Sequence, residues 1–150
     1  MAELKRILFL CTGNSARSQM AEALLRHIGG EHFEVFSAGT NPRTSVDPRA
    51  IETLRRNHVP TDGLRPKELS AFAGQKFDYV ITVCDRAREQ CPVMPGAEMI
   101  HWSFPDPAEH AAPTTQVHAF DEVFQGLERR LRLLIAVSGR PDADLRRNAS

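Results

Sequence analysis

The chain has 150 residues, and its 19 basic and 19 acidic side chains give a formal net charge of zero. Nucleic acids and anionic membrane surfaces require a concentrated basic field, so this composition argues against both as partners. We find no apolar run of the ~18 residues that a membrane span needs and no signal-peptide pattern, and we therefore expect a cytoplasmic, monomeric, single-domain protein. Three cysteines are an odd number in a reducing compartment, and we expect them to be reactive rather than structural.

The first predicted element is a buried strand that ends at Cys11. An apolar run precedes this cysteine, and apolar residues at helical spacing follow from Met20 to Ile28. Residues 11–18, CTGNSARS, therefore connect a strand to a helix N-terminus, where backbone N–H groups and the helix dipole favour an oxyanion. The residues predicted to bind the oxyanion are Thr12, Gly13, Asn14, Ser15, Ala16 and Arg17.

The same loop puts a nucleophile beside a guanidinium. Arg17 can hold two oxygens of the anion in a bidentate fork, and the Ser18 hydroxyl can donate to the Cys11 sulfur. We expect the helix N-terminus and Arg17 to hold the pKa of the Cys11 thiol below its usual range, which leaves a nucleophilic thiolate. Gly13 allows a backbone turn with positive φ, and Asn14 is among the few other residues that tolerate one. A buried structural cysteine is the alternative interpretation, and a nucleotide-binding P-loop fits worse because this loop has no lysine.

The rest of the chain alternates strands with helices. We predict strands over 33–37, 79–83 and 98–102, a helix from Pro48 to about Asn57 with Asp47 as its N-cap, and a short helical piece over 68–73. This alternation predicts an α/β fold: an open, doubly wound parallel sheet of about four strands with helices on both faces. We expect the domain to cover residues 1–138, followed by a polar C-terminal tail over 139–150. The last helix carries an apolar stripe made of Val117, Phe120, Phe124, Leu127, Leu131 and Leu134.

Two further cysteines lie near the same predicted sheet edge. Ligands of an open α/β sheet bind beyond the carboxyl ends of its strands, and Cys11 and Cys84 each end a strand. Cys84 and Cys91 are seven positions apart, which in an intact helix puts them on one face and about 10.5 Å apart, whereas a disulfide needs Cα atoms within about 7 Å. A bridge between them would therefore have to unwind that helix. On spacing alone, two buried thiols remain an equally good interpretation.

Asp106 is the candidate acid. It lies in the loop after the fourth predicted strand, from which it can reach the same edge and protonate a leaving oxygen. A turn aspartate before proline is the alternative interpretation. The six histidines show no metal-ligand spacing, so we expect neither a metal site nor a cofactor.

Taken together, these motifs resemble the thioredoxin-coupled arsenate reductases built on the low-molecular-weight tyrosine phosphatase fold. The resemblance covers nearly the whole chain and rests on CTGNSARSQMAE from Cys11, SAG from Ser37, VITVCDRAREQCPVMPG from Val80 and HWSFPDPA from His101. Gln19, where the phosphatases usually have proline, and the cysteine pair are typical of the reductases.

The resemblance implies a three-cysteine relay. The Cys11 thiolate attacks arsenate while Asp106 protonates the departing oxygen. Cys84 then attacks the Cys11 sulfur and releases arsenite, and Cys91 forms a disulfide with Cys84 that thioredoxin reduces. Phosphate and sulfate would compete with arsenate for the loop. Glutaredoxin or a low-molecular-weight thiol is the alternative electron donor, and a tyrosine phosphatase or a non-catalytic oxyanion or redox sensor is the alternative function.

Two positions depart from the family pattern. Ala16 stands where well-known members carry a further cysteine, one that takes no part in the relay. Some members also hold a potassium ion through side chains that match Asn14, Glu22 and Ser37 and through an acid near Lys67. Here that acid is missing, and we predict that the Lys67 ammonium replaces the ion.

Overall fold

Four parallel strands form one sheet in the computed structural model, which describes residues 4–91, 94–109 and 112–138. The strands are β1 (Lys5–Cys11), β2 (Phe33–Gly39), β3 (Tyr79–Thr82) and β4 (Glu98–His101), in the order β2-β1-β3-β4. The central strand β1 pairs with β2 and β3, and its residues 7–10 are fully buried, as a strand covered on both faces requires.

Four helices accompany the sheet: α1 (Arg17–Gly29), α2 (Pro48–Arg56), α3 (Asp85–Gln90) and α4 (Pro113–Ser138). The helices α1, α2 and α4 contact one another, whereas α3 contacts β1 and β3. The steps from β1 to β2 and from β3 to β4 run in opposite directions across the sheet, so right-handed crossovers place α1 and α3 on opposite faces. The predicted fold class is confirmed. Among the described residues, no helix has the length and apolarity that crossing a membrane would take.

Most predicted boundaries agree with the structure to within one or two residues. β2 continues two residues further than predicted, to Gly39, because its last residues pair with Leu10 and Cys11 of β1. Asp47 caps α2 as predicted: its carboxylate accepts the backbone N–H of Arg49 at 2.9 Å. The helical piece predicted over 68–73 is a 3-10 helix over Leu69–Phe72, and two further 3-10 helices cover Gly30–His32 and Pro107–Glu109.

The apolar stripe of α4 is correct at five of its six positions. Phe120, Phe124, Leu127, Leu131 and Leu134 are buried, but Val117 is 45% exposed. The prediction for Val117 is wrong because burial along α4 begins only at Ala119, after a first stretch that faces solvent. The predicted tail over 139–150 lies outside the described residues.

Candidate active site

The loop between β1 and α1 is fastened to the segment 40–47 by four backbone hydrogen bonds. Each is donated by that segment to a loop carbonyl: Thr40 to Cys11 (3.3 Å), Asn41 to Thr12 (2.9 Å), Arg43 to Gly13 (2.9 Å) and Asp47 to Ser15 (2.8 Å). In a trans peptide the carbonyl and the next N–H point in opposite directions, so these bonds turn the N–H groups of the following loop residues away from segment 40–47. The N–H of Asn14 points to the Cys11 sulfur at 3.2 Å. The loop therefore has the form of an anion cradle around the cysteine.

The start of α1 adds to this cradle. Its N-cap is Ala16, whose side chain cannot satisfy the first backbone N–H groups of the helix. These groups and the positive end of the helix dipole remain available to an anion.

Two small residues allow the loop to pack closely. A side chain on Gly39 would meet the Thr12 carbonyl oxygen at 2.6 Å, so only glycine fits at the end of β2. Asn14 has a φ of 48°, which asparagine tolerates. Gly13 does not belong to the residues with positive φ, so the turn does not use the freedom that this glycine allows. Its missing side chain instead leaves room for Arg43, whose Cγ and Nε lie 3.2 Å from the point that a Cβ would occupy.

Asn14 supplies a donor to the serine that contacts Cys11. The Asn14 Oδ1 accepts the backbone N–H of Lys67 at 2.8 Å and the Gln19 amide at 3.1 Å, so its Nδ2 must face the other way. That Nδ2 donates to the Ser18 hydroxyl oxygen at 2.7 Å. The Ser18 hydroxyl lies 2.8 Å from the Cys11 sulfur, and its own proton is available to stabilise a thiolate there.

A buried carboxylate continues this network away from the nucleophile. Asn14 Nδ2 also donates to Ser37, and Ser37 donates to Glu22 Oε1 at 2.5 Å. Glu22 is almost fully buried between two cations, with Arg26 at 2.9 Å and the Lys67 ammonium at 3.4 Å. Sequence reasoning reached Glu22 only through family resemblance, although an acid on the buried face of α1 is itself a signal of a required partner.

Lys67 lies beside Glu22, one of the side chains through which the family resemblance implied a potassium ion. Its ammonium donates to the Arg65 carbonyl oxygen at 2.6 Å and lies beside Glu22. Burial lowers the pKa of Lys67, and the negative charge of Glu22 partly offsets this effect. The residues around Glu22 therefore do not fit a potassium ion in addition to the ammonium. Elsewhere in the described chain, no cluster of three or more His, Cys, Asp or Glu could hold a metal.

The Cys11 thiol does not have the lowered pKa that we expected. The side chain is 3% exposed, and burial raises its pKa above the usual range despite the opposing effects of the Ser18 hydrogen bond and the Arg17 charge. The guanidinium of Arg17 donates to the Phe104 carbonyl and lies near Asp106, and its positive charge only partly offsets the effect of burial on the Cys11 pKa. In this conformation Cys11 is held as a neutral thiol.

Arg17 and Asp106 face each other at the same edge as Cys11. The Arg17 side chain is 14% exposed and donates to the Phe104 carbonyl oxygen at 2.9 Å, while a second nitrogen lies 3.9 Å from Asp106 Oδ2. The other Asp106 oxygen accepts the N–H of Ala108 at 2.9 Å. One oxygen thus stabilises the turn, as the alternative interpretation required, and the other points toward the oxyanion loop.

Cys84 also lies against this loop. Its sulfur is 3.4 Å from the Thr12 hydroxyl, and it accepts the N–H of Ala87 as the N-cap of α3. The backbone N–H of Val83, the preceding residue, donates to the Leu10 carbonyl at 2.8 Å. This pairing brings the ends of β1 and β3 together, as the sheet-edge argument predicts.

Cys91 lies at the other end of α3, where it is the C-cap. Both cysteines have extended backbone angles, so the expectation that they share a helix face is wrong: they flank a helix of six residues. Those six residues still span about 9 Å, so a Cys84–Cys91 disulfide requires α3 to unwind. Cys91 is half-buried, and burial raises the pKa of its thiol. Cys11 and Cys84 are free thiols, and the proline after Cys91 lies outside the described residues.

His101 is the residue near this site that sequence reasoning missed. It ends β4, where one ring nitrogen is 2.7 Å from the Thr82 hydroxyl and the other is 2.9 Å from a carboxylate oxygen of Asp85. His101 therefore ties the first residue of α3 to the sheet. The sheet-edge argument that located Cys84 could have found it, because His101 also ends a strand.

The chain is similar to enzymes of two kinds. The model of the low molecular weight phosphotyrosine protein phosphatase family matches residues 6–149. Arsenate reductase 2 of Staphylococcus saprophyticus is 41% identical over 105 residues, which cover 69% of this chain and 79% of that protein. The solved thioredoxin-dependent arsenate reductase of Corynebacterium glutamicum has 31% identity and a TM-score of 0.71, and the match covers 89% of this chain and 61% of that one. An arsenate reductase in its phosphate-binding state has 26% identity and a TM-score of 0.74, with 90% and 99% covered.

The family model spans nearly the whole chain, including every residue of the oxyanion loop and all three cysteines. It therefore confirms the resemblance that the motifs indicated. The chain belongs to the low-molecular-weight phosphotyrosine protein phosphatase family.

Proposed function

We propose that this protein is an arsenate reductase that uses a three-cysteine relay and receives its electrons from thioredoxin. The observation that carries the proposal is the position of Cys84, whose sulfur lies 3.4 Å from Thr12 in the loop that begins at Cys11. A hydrolytic phosphatase has no use for a second thiol there. Relatives named arsenate reductase support the activity, and the name of the Corynebacterium structure supports thioredoxin over glutaredoxin or a small thiol.

The first step forms a bond between sulfur and arsenic. Arsenate binds to the N–H groups of residues 12–17 and to the Arg17 guanidinium. Because burial raises the pKa of Cys11, the thiol proton passes to an arsenate oxygen as the sulfur attacks. Asp106 donates a proton to the hydroxyl group that leaves as water. The product is a covalent adduct of Cys11 with arsenic still in the +5 state.

The second step reduces arsenic. The Cys84 thiol loses its proton and attacks the Cys11 sulfur, forming a disulfide. The sulfur–arsenic bond breaks, and its electron pair stays on arsenic, which leaves as arsenite in the +3 state. The two electrons come from the two thiols.

The third step frees the nucleophile. The Cys91 thiolate attacks Cys84, which releases the Cys11 thiolate and forms a Cys84–Cys91 disulfide. Because α3 separates these cysteines, this step requires the helix to unwind. Thioredoxin then reduces the disulfide by thiol–disulfide exchange and is itself oxidised.

The relay is tested by comparing single cysteine variants with arsenate, thioredoxin, thioredoxin reductase and NADPH. We expect sustained NADPH consumption in the wild type. Cys91→Ser should release about one arsenite per enzyme and stop with a Cys11–Cys84 disulfide, whereas Cys84→Ser should release none. Each variant replaces one sulfur atom of the wild type by oxygen, so the two substitutions are chemically identical and each variant is the matched control for the other. Rapid turnover in Cys84→Ser would refute the relay.

A phosphatase activity is the second candidate, because Cys11, Arg17 and Asp106 are also the groups that phosphate-ester hydrolysis needs. We expect it to be weak, to disappear in Cys11→Ser and to survive in Cys84→Ser. A non-catalytic oxyanion or redox sensor would need no acid, so loss of arsenate turnover in Asp106→Asn counts against that alternative.

A further inference from the structure

The Arg43 side chain lies against the outer rim of the oxyanion loop. Its Cγ, Nε and Cδ atoms are 3.2, 3.2 and 3.3 Å from the position that a Cβ of Gly13 would take. Its backbone N–H donates to the Gly13 carbonyl at 2.9 Å, which fixes the start of the side chain to the same residue. The other side of Arg43 is exposed. The absence of a side chain at Gly13 therefore leaves room for the Arg43 side chain to pack against the loop.

Arg43 differs from the other two arginines near the loop in having unused donors. Arg17 donates to the Phe104 carbonyl and faces Asp106. Arg49 donates to both carboxylate oxygens of Asp47, at 2.9 and 2.7 Å. Within the described part of the chain, the Arg43 guanidinium has no hydrogen-bond acceptor or ion-pair partner.

The positive charge of Arg43 nevertheless acts on a neighbouring carboxyl group, that of Asp47. Burial raises the pKa of the nearby Asp47 carboxyl, but hydrogen bonds from Arg49 and the positive charges of Arg49 and Arg43 bring it below its usual value. Asp47 donates its backbone N–H to the Ser15 carbonyl, so the carboxyl on which Arg43 acts belongs to a residue that is bonded to the loop.

We propose that Arg43 is a second oxyanion-binding residue: its backbone lies behind the loop, but its side chain passes Gly13, so that the guanidinium contacts an outward-facing oxygen of the anion held in the loop. Arg17 is nearly buried and contacts the anion from within, whereas Arg43 contacts it from the rim. The identity of the substrate as arsenate rests on the function proposed above. Because arsenate is an anion and arsenous acid is uncharged at neutral pH, this contact retains substrate and lets product leave.

The expected effect is moderate and depends on salt. An exposed guanidinium that donates to an anion contributes far less than a buried one, and we expect a three- to tenfold loss of affinity, about what a single charge-assisted hydrogen bond at a surface supplies. Ions screen an exposed pair, so this difference should shrink as ionic strength rises.

Calorimetric titration with inorganic phosphate tests the proposal without any need for arsenate turnover. Arg43→Met keeps the alkyl contact with Gly13 and removes the guanidinium, Arg43→Lys keeps a charge, and Arg55→Met is the control on the exposed face of α2. In low salt we expect Arg43→Met to weaken phosphate binding, Arg43→Lys to retain part of it, and Arg55→Met to bind like the wild type. The melting temperatures of all four proteins should agree.

The steady-state counterpart is a raised KM for arsenate at unchanged kcat in Arg43→Met. Equal phosphate affinity in Arg43→Met and wild type at low salt, or a loss that does not shrink in high salt, would overturn the role of Arg43. Phosphate binding that depends on Arg43 in a protein that does not reduce arsenate would leave this inference standing and refute the proposed function alone. Absence of phosphate binding in the wild type would overturn both.

Discussion

The side chain of Asn14 connects the nucleophile to a buried charge. Its amide receives two donors on Oδ1 and gives both protons to serine hydroxyls. The Ser18 hydroxyl, which accepts one of these protons, lies 2.8 Å from the Cys11 sulfur, and Ser37 donates to Glu22. The hydrogen-bond network at the sulfur thus continues to a carboxylate several bonds away. Whatever holds Glu22 in place also helps to position Cys11.

The Lys67 ammonium is the cation that we expect to hold Glu22. Wild-type arsenate reduction should be equal in potassium and sodium chloride at the same ionic strength, because the ammonium already lies between Glu22 and the Arg65 carbonyl. In Lys67→Gln the carboxylate loses that neighbour, and we expect KM for arsenate to rise several-fold in sodium and to recover in part in potassium. Lys76→Gln, at an exposed position, is the control. Clear stimulation of the wild type by potassium over sodium would contradict the prediction.

At the scale of elements, α3 is the helix that we expect to unfold most easily. It has six residues, well below the length at which an isolated helix is stable in water. It depends on contacts at its start, where the Cys84 sulfur accepts the N–H of Ala87 and His101 holds Asp85. The first contact is made by Cys84, which the proposed relay oxidises, and the second is made by Asp85, the next residue. Oxidation of Cys84 therefore acts on the helix at its N-cap.

We expect a Cys84–Cys91 disulfide to melt α3 and leave the rest of the fold intact. Amide hydrogen exchange over residues 85–90 should accelerate by about tenfold or more on oxidation, because the bridge cannot span the helix, while exchange in α1 stays the same. Cys84→Ser treated with the same oxidant is the control: it can form neither disulfide and keeps a hydroxyl at the N-cap, so α3 should stay protected. Equal backbone order for residues 84–91 in reduced and oxidised protein would refute the prediction.

Hydrophobic patterns predict two kinds of element well: the continuous apolar run of β3, an interior strand with consecutive buried residues, and the one-face stripe in the core of α4. The errors come from contacts that a pattern along the chain does not contain. β2 reaches Gly39 because of its partner strand, and Val117 is exposed because the first part of α4 precedes the packed region. The raised pKa of Cys11 depends on its burial, which outweighs the opposing effects of Ser18 and Arg17. The motif predicted which groups lie at this edge of the sheet, but it does not contain how deeply the fold buries Cys11.

At the scale of the whole molecule, all four strands contribute their carboxyl ends to one site. β1 supplies Cys11, β2 supplies the glycine against which the loop packs, β3 leads to Cys84, and β4 leads through residues 102–105 to Asp106. Only the last of these connections is long, and it depends on support from α4. The ring of Phe104 lies against Gly126, and Arg130 of the same helix lies 5.7 Å from its centre. The position of the acid is thus set by a helix that contributes no group to the chemistry.

Gly126→Ala tests this support. In an ordinary helix the change stabilises by about 1 kcal/mol, but here the new methyl group would lie 2.8 Å from a ring carbon of Phe104. Phe104 must then move, and with it the carbonyl that accepts Arg17 and the Asp106 carboxylate two residues further on. We expect kcat/KM for arsenate to fall about tenfold while circular dichroism still reports a folded protein.

A second substitution separates misplacement from simple loss of stability. Phe104→Leu in the Gly126→Ala background removes the ring that the methyl group meets, so it should restore part of kcat/KM. Leu133→Ala, at a position of α4 that is 68% exposed, is the control and should leave both kinetics and stability unchanged. Unaltered kinetics in Gly126→Ala, or a double variant no better than the single one, would show that α4 does not position the acid. Recovery in the double variant would place Gly126 among the residues that specify the site, although it lies far along the chain from every reacting group.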